Sequence, residues 1–312
     1  MYYNEILNAG RHTIARSANR YYARQREVLM NIQWYPGHMT KAKRQLADKL
    51  KLIDMVIEVL DARAPLSSLN PDFDELFSGK QRLYILNKAD LANASATQAW
   101  LDYFVGENIP AISFSANTDN PEILKKKINS TGDALLEKYR QKGVNKVLRA
   151  LVAGIPNVGK SAILNRLLGG RKMKEGNKPG VTKGLQWAKI SSYLEIMDSP
   201  GLLWPKFDND RTGAVVALIG SVKTDVLDEE ALTFYLIDQL KNSEPKMLTN
   251  RYKLDTLNDD TYELLCDIGR KRGFLIKGGE LDMERAAKTV LDDFKNGRMG
   301  RISLETPEGF RQ

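Results

Sequence analysis

Gly154-Ile-Pro-Asn-Val-Gly-Lys-Ser161 is the stretch on which the reading of this chain turns. It has the spacing G-x-x-x-x-G-K-[ST], with the apolar run Val147–Ala153 before it and the helical stretch Ala162–Leu168 after it. Glycines at these positions let the backbone curl until several N–H groups converge on phosphate oxygens at a helix N-terminus. Asn157, Val158, Gly159, Lys160, Ser161 and Ala162 are therefore expected to wrap the phosphates of a nucleotide. Lys160 would neutralise the β- and γ-phosphates and so act in catalysis, and the Ser161 hydroxyl would ligate Mg²⁺.

Three further motifs fit around this loop. Asp198-Ser-Pro-Gly201 follows the apolar run Tyr193–Met197, 37 residues past Ser161. Asp198 is placed to hold Mg²⁺ through water, and the Gly201 N–H to meet the γ-phosphate. Thr182, in Pro179-Gly-Val-Thr-Lys-Gly184, lies in a basic loop between the phosphate-loop helix and the next strand. Its hydroxyl can reach Mg²⁺ and its backbone the γ-phosphate, which makes it a second catalytic candidate. Asn87-Lys-Ala-Asp90 follows the apolar run Leu83–Leu86. A carboxylate at Asp90 can accept from both N1–H and the 2-amino group of guanine, a donor pair that adenine lacks, so the expected ligands are GTP and GDP. The Lys88 stem can cover the base, Asn87 can brace the loop, and Ser115-Ala116 can offer a backbone N–H to guanine O6.

The order of these motifs is permuted. GTPases ordinarily run phosphate loop, threonine loop, D-x-x-G, N-K-x-D, S-A; here N-K-A-D and S-A precede the phosphate loop. Such a circular permutation is tolerable because domain termini commonly lie close together. The expected fold is α/β: a permuted P-loop GTPase domain on a six-stranded, mostly parallel sheet, followed by an all-α domain. Candidate strands are Met55–Leu60, Leu83–Leu86, Ala111–Phe114, Val147–Ala153, Leu185–Ile190 and Tyr193–Met197. The last two are joined by only Ser191 and Ser192, so they form a hairpin and one strand is antiparallel. Thr40–Leu52 reads as a helix with Thr40 as its N-cap. Residues 208–220, 228–241, 259–271 and 282–296 read as helices, with Gly269, Gly273, Gly278, Gly279 and Gly297 at their ends or turns. Three segments follow: a basic extension over 1–29 without structure, a GTPase domain over 30–205 and a helical domain over 206–312.

Charge divides the same way. Net charge is +3 over residues 1–30, +8 over 31–205 and −3 over 206–312. A basic middle suits polyanions such as nucleotides or RNA, or is a solvated surface. The five arginines before residue 30 fit an RNA-binding arm, a targeting segment or an over-long reading frame. Arg270–Lys277, and Lys41, Lys43 and Arg44, are basic clusters that fit RNA or a solvated helix face equally. No apolar run reaches the ~18–20 residues of a membrane-spanning helix. One cysteine, Cys266, excludes an internal disulfide and a cysteine-rich zinc site, and points to the reducing cytoplasm.

On these motifs, together with Trp34-Tyr-Pro-Gly-His38-Met-Thr-Lys-Ala42, Asp61-Ala-Arg-Ala-Pro65, Asn70-Pro71 and Gly300-Arg-Ile-Ser-Leu-Glu305, the chain resembles the circularly permuted ribosome-assembly GTPases, specifically the ribosome biogenesis GTPase A family. The resemblance spans roughly residues 31–312. It implies a helical RNA-binding domain, action on the precursor of the large ribosomal subunit and its rRNA, release after hydrolysis, and a monomer off the ribosome. It also implies that His38 orients the attacking water, since Leu202 stands where many small GTPases have a glutamine; the alternative is that His38 caps a helix or packs beside Trp34 and Tyr35. Asn157 resembles the asparagine of potassium-activated GTPases, which supplies an oxygen to K⁺; its alternative is a loop residue without a ligand. Two departures stand out: residues 1–29 precede the usual family start, and Ser115-Ala-Asn-Thr-Asp119 lacks a Gly-rich continuation. Two other functions compete, a permuted GTPase of small-subunit assembly and a nucleotide-gated RNA-binding scaffold with little turnover.

Overall fold

The structure, a computed structural model, describes residues 37–169, 186–207, 209–222 and 228–308. The extension over 1–29 and Thr182 lie outside the described residues.

Six strands form one sheet: β1 (Met55–Asp61), β2 (Gln81–Asn87), β3 (Ala111–Phe114), β4 (Leu148–Ala153), β5 (Gln186–Lys189) and β6 (Leu194–Asp198), in the order β3-β2-β1-β4-β6-β5. All neighbours are parallel except β5 and β6, which form the expected antiparallel hairpin at one edge. Parallel sheets need cover on both faces, so their strands read as continuous apolar runs. Accordingly every residue of β1 is buried.

The helices between strands are set by local chemistry. Asn93 accepts from Ser95 N and Ala96 N at the start of α4 (Ala94–Gly106), reached after α1 (Gly37–Lys49) and the short α2 (Pro65–Ser68) and α3 (Asp72–Leu76). Asn120 and Pro121 open α5 (Pro121–Arg140) in the same manner. Trp100 and Phe104 of α4 stack at 5.6 Å in a core cluster with Leu60, Tyr84 and Leu86. Thr40 is no N-cap. The first helix already begins at Gly37, because burying Met39 with Ala42 and Leu46 requires helical spacing from the earlier residue.

The described chain folds into two compact units. One holds the sheet and residues 37–169, 186–207, 219–222 and 301–308; the other holds 209–218 and 228–300. The division at 205/206 read from the sequence has one crossing, whereas the chain makes several. Residues 219–222 and 301–308 are held by hydrogen bonds to groups far away in sequence, which pattern alone does not show.

The second unit is helical: α7 (Asp210–Leu218), α8 (Glu229–Ser243), α9 (Pro245–Tyr252), α10 (Thr261–Arg272) and α11 (Met283–Lys295), which follow α6 (Lys160–Leu168) of the first unit. Asp228, Asp260 and Asp282 cap three of them. The short helix α9 escapes sequence reading because only Leu248 and Tyr252 of its residues are buried. It is pinned by Asp293, whose carboxylate accepts from Arg251 at 2.8 Å twice and from Tyr252 Oη at 3.2 Å. Burial alone would raise that carboxyl, but Arg251 and Arg298 outweigh it and hold it below the usual carboxylate range. Gly269, expected at a helix end, instead lies buried inside α10, where an added Cβ would sit 3.4 Å from Leu281.

Candidate functional site

Four sequence motifs arrive together at the C-terminal ends of parallel strands, the edge where open α/β sheets bind ligands. The phosphate loop follows β4, Asp198 ends β6, Asn87 ends β2, and Ser115 follows β3.

The phosphate loop takes a shape that its two glycines make possible. Gly154, Asn157 and Gly159 all have positive φ, at 149°, 60° and 98°. A Cβ on Gly159 would fall 2.1 Å from Asn87 Nδ2, and one on Gly201 would fall 2.6 Å from Pro156 Cα. The loop then enters α6 at Lys160. The buried Lys160 ammonium donates to the carbonyls of Gly154 and Ile155, at 3.1 and 2.7 Å. Burial lowers its pKa to about 8, against the opposing pull of Asp198.

Asp198 is also buried, and burial raises its carboxyl while Lys160 and Ser161 oppose the shift. Ser161 Oγ donates to Asp198 Oδ2 at 3.3 Å, and Oδ1 is buried with no hydrogen-bond partner among the described residues. A hydroxyl oxygen beside an incompletely satisfied carboxylate is a donor set that fits a hard divalent cation such as Mg²⁺. Asn157 Nδ2 donates to Gly220 O at 2.6 Å, so any cation ligation by this side chain falls to Oδ1. Ser221 Oγ donates to Pro156 O at 2.6 Å, a second clasp on the loop that the sequence did not announce.

The other end of the site is built around Asn87. Its Nδ2 donates to Val158 O at 2.7 Å and its Oδ1 accepts from Ala116 N at 3.2 Å, which ties N-K-A-D to the phosphate loop and to the S-A loop. Ser115 Oγ donates to Asp90 Oδ1. The missing Gly-rich continuation has a substitute in Asp119, whose carboxylate closes the loop by accepting from Ser115 N at 2.8 Å. Lys88 holds a φ of 62°, unusual for a non-glycine residue, and its ammonium donates to Asp61 at 2.7 Å. Arg63 donates to both oxygens of the same carboxylate, at 2.9 and 2.8 Å. Burial would raise the Asp61 carboxyl, but Arg63 and Lys88 outweigh it and hold it far below the carboxylate range.

Comparison with known proteins supplies the family. A family model described as "50S ribosome-binding GTPase" matches residues 149–265. The Ribosome biogenesis GTPase A of Priestia megaterium is 41% identical over 288 residues, covering 91% of this chain and 99% of that protein. The chain belongs to the ribosome biogenesis GTPase A family. Two solved structures agree. A GDP-bound structure of TM YlqF matches with a TM-score of 0.63 at 28% identity, covering 85% of this chain and all of that one. GNP-bound YlqF from T. maritima matches at 0.62 and 29% identity, covering 86% and 99%. This chain is therefore a GTPase of ribosome biogenesis with the permuted fold of that family.

Of the residues expected at the site, Asn87, Lys88, Asp90, Ser115, Ala116, Asn157, Val158, Gly159, Lys160, Ser161, Ala162, Asp198 and Gly201 fall along one strand-end edge of the sheet. Thr182 and the His38 side chain lie outside the described residues; the backbone of His38 belongs to the first turn of α1. Leu202 is buried, donates its N–H to Gly154 O and accepts from Asn70 Nδ2 at 2.9 Å. Four contributors went unread as site residues: Asn70, Arg63, Ser221 and Glu305. Asn70, Arg63 and Glu305 stood in motifs that mark the family, which was the available signal; Ser221 had none.

Proposed function

We propose that this GTPase acts in assembly of the large ribosomal subunit, binding rRNA of the immature particle through its helical unit and leaving after hydrolysis, as a cytoplasmic monomer off the particle. The observation that carries the subunit assignment is the match of residues 149–265 to a family described as 50S ribosome-binding. One cysteine among 312 residues gives no basis for a cysteine zinc module of the kind small-subunit relatives carry.

At the site, the backbone of Asn157–Ala162 and the Lys160 ammonium bind the phosphates, and Gly201 N–H meets the γ-phosphate. Ser161, Thr182 and Asp198 would hold Mg²⁺, which supplies positive charge to the β- and γ-phosphate oxygens when bound. Asn157 Oδ1 would offer a ligand to K⁺. Asp90 reads the guanine edge, Lys88 covers the base, Asn87 braces both loops, and Ser115 and Ala116 complete the base pocket. Leu202 has no group with which to orient water, and the family resemblance assigns that task to His38, with Lys160 and Thr182 stabilising the charge that builds up on the transferred phosphoryl group.

The test is GTP turnover by the purified protein alone, with immature large subunits and with immature small subunits. Stimulation by the large precursor alone is the expected result. Stimulation by the small precursor would reassign the particle, and binding to either without faster turnover would make the protein a scaffold.

A further inference from the structure

We infer that residues 301–305, the segment leaving the helical unit, form a strap that positions the guanine-reading loop, with Glu305 as its positioning residue. The inference rests on the reading of Asn87–Asp90 as the guanine-binding loop.

The strap touches the chain just past that loop and the Arg63–Ser67 segment. At the first, Ile302 N donates to Leu91 O at 2.9 Å and Asn93 N donates to Ser303 Oγ at 3.1 Å, so the residues just past Asp90 are held. At the second, Leu304 N donates to Arg63 O at 2.7 Å. The Glu305 carboxylate, 5% exposed, accepts from Leu66 N at 2.8 Å, from Ser67 N at 3.1 Å and from Ser67 Oγ. Its carbonyl accepts from Trp100 Nε1 at 3.1 Å, anchoring the strap to α4.

From Glu305 the contacts run to the base end through α2. Ser68, in the same short helix as the two N–H groups, accepts from Asp61 N at 3.1 Å. The Asp61 carboxylate receives Arg63 and Lys88. Lys88 lies between Asn87 and Asp90 and is tied to Asp61 through its ammonium, so a shift of Asp61 acts on this side chain. A buried carboxylate serving three donors cannot be removed without leaving those donors unsatisfied. α2 then has reason to shift, and Asp61 and Lys88 with it.

A merely structural strap would weaken all nucleotides alike; a positioning strap alters base discrimination. The readout is the affinity ratio of GDP to IDP, which lacks the 2-amino donor that Asp90 accepts. It is measured on the full chain for wild type, Glu305→Ala, Glu305→Gln, Ser303→Ala and Asp90→Asn, with melting temperature in parallel. The expected result is a loss of about tenfold in GDP affinity for Glu305→Ala, with the GDP/IDP ratio narrowing towards one. Glu305→Gln and Ser303→Ala should narrow it less, and they carry the test if Glu305→Ala does not fold. Ratios equal to wild type in the folded strap variants, while Asp90→Asn collapses the ratio, would overturn the inference alone. An unchanged ratio in Asp90→Asn would overturn the guanine-loop reading and the inference with it.

Discussion

The two ends of the nucleotide site are built by opposite strategies. At the phosphate end, eight consecutive residues carry the binding groups and most of the shape: three positive-φ positions, a buried lysine held by its own loop carbonyls, and a helix start, with Asn87, Gly220 and Ser221 clasping the loop from outside. At the base end, Asn87–Asp90 is positioned by groups from elsewhere: Asp61 and Arg63, the Ser115 loop, and a strap more than 200 residues away in sequence. The difference teaches that the groups binding phosphate can come from one contiguous stretch that distant residues only clasp, whereas reading a base needs a carboxylate held in register by the rest of the domain. Asn87 joins the two ends, bonded to the phosphate loop through one side-chain atom and to the S-A loop through the other.

That contrast can be broken at the phosphate end first. His38→Ala should lower particle-stimulated GTP turnover by ~10²–10⁴-fold while sparing GTP affinity, the range typical of a positioned acid–base group. Turnover equal to wild type in the presence of immature large subunits and potassium would return His38 to packing. The phosphate loop should also be intolerant of a single methyl. Gly159→Ala places a Cβ against Asn87 Nδ2 at a left-handed φ, so it should cost ~1–3 kcal/mol of stability and loosen both ends together. Thermal melts and GDP titrations check it; a variant that binds GDP as wild type does would show that Asn87 is no bridge.

Smaller effects sharpen the comparison through protons. With its pKa lowered to about 8, Lys160 releases its proton readily, and phosphates beside it favour the charged form. GDP binding at pH 8 should therefore take up about half a proton, and affinity should fall as pH rises beyond that value. Calorimetry in buffers of different ionisation enthalpy measures the uptake, and heats independent of buffer would contradict it. Glu58, buried in β1 and away from both ends, is raised by burial to about 7, with Arg82 opposing. Its folded pKa exceeds the ordinary 4.5, so the stability it contributes is full below that value and lost as pH rises through 7. Glu58→Gln should gain ~1–3 kcal/mol relative to wild type on going from pH 4.5 to pH 8, read from melting curves. A pH-independent difference would show that Arg82 keeps the carboxylate ionised throughout.

What the sequence disclosed follows the same line. β3 matches its expected span residue for residue, and the β5–β6 hairpin follows from a two-residue connection. The phosphate loop was legible because its chemistry is contiguous. Thr40 and Gly269 depart from the expectation because each is a common cap or breaker, whereas the burial of Met39 and of Gly269 itself places both inside helices. The two-turn helix Pro245–Tyr252 shows too few buried residues to have a visible period. The clasp of Gly220 and Ser221 on the phosphate loop spans more than 60 residues, and the Glu305 contacts span 238 and 239. No periodicity reports pairings at such distances.

Base reading by Asp90 is the claim on which the two-ended account stands. Its most direct test is competition binding of GTP, ATP and xanthosine triphosphate to wild type and Asp90→Asn. Asparagine removes an acceptor and presents a donor to the guanine 2-amino group, while the 2-oxo group of xanthine can accept that donor. The account predicts that Asp90→Asn loses its preference for GTP and gains one for the xanthosine nucleotide, with the phosphate loop still engaged. Retention of the wild-type preference for GTP over ATP would contradict it.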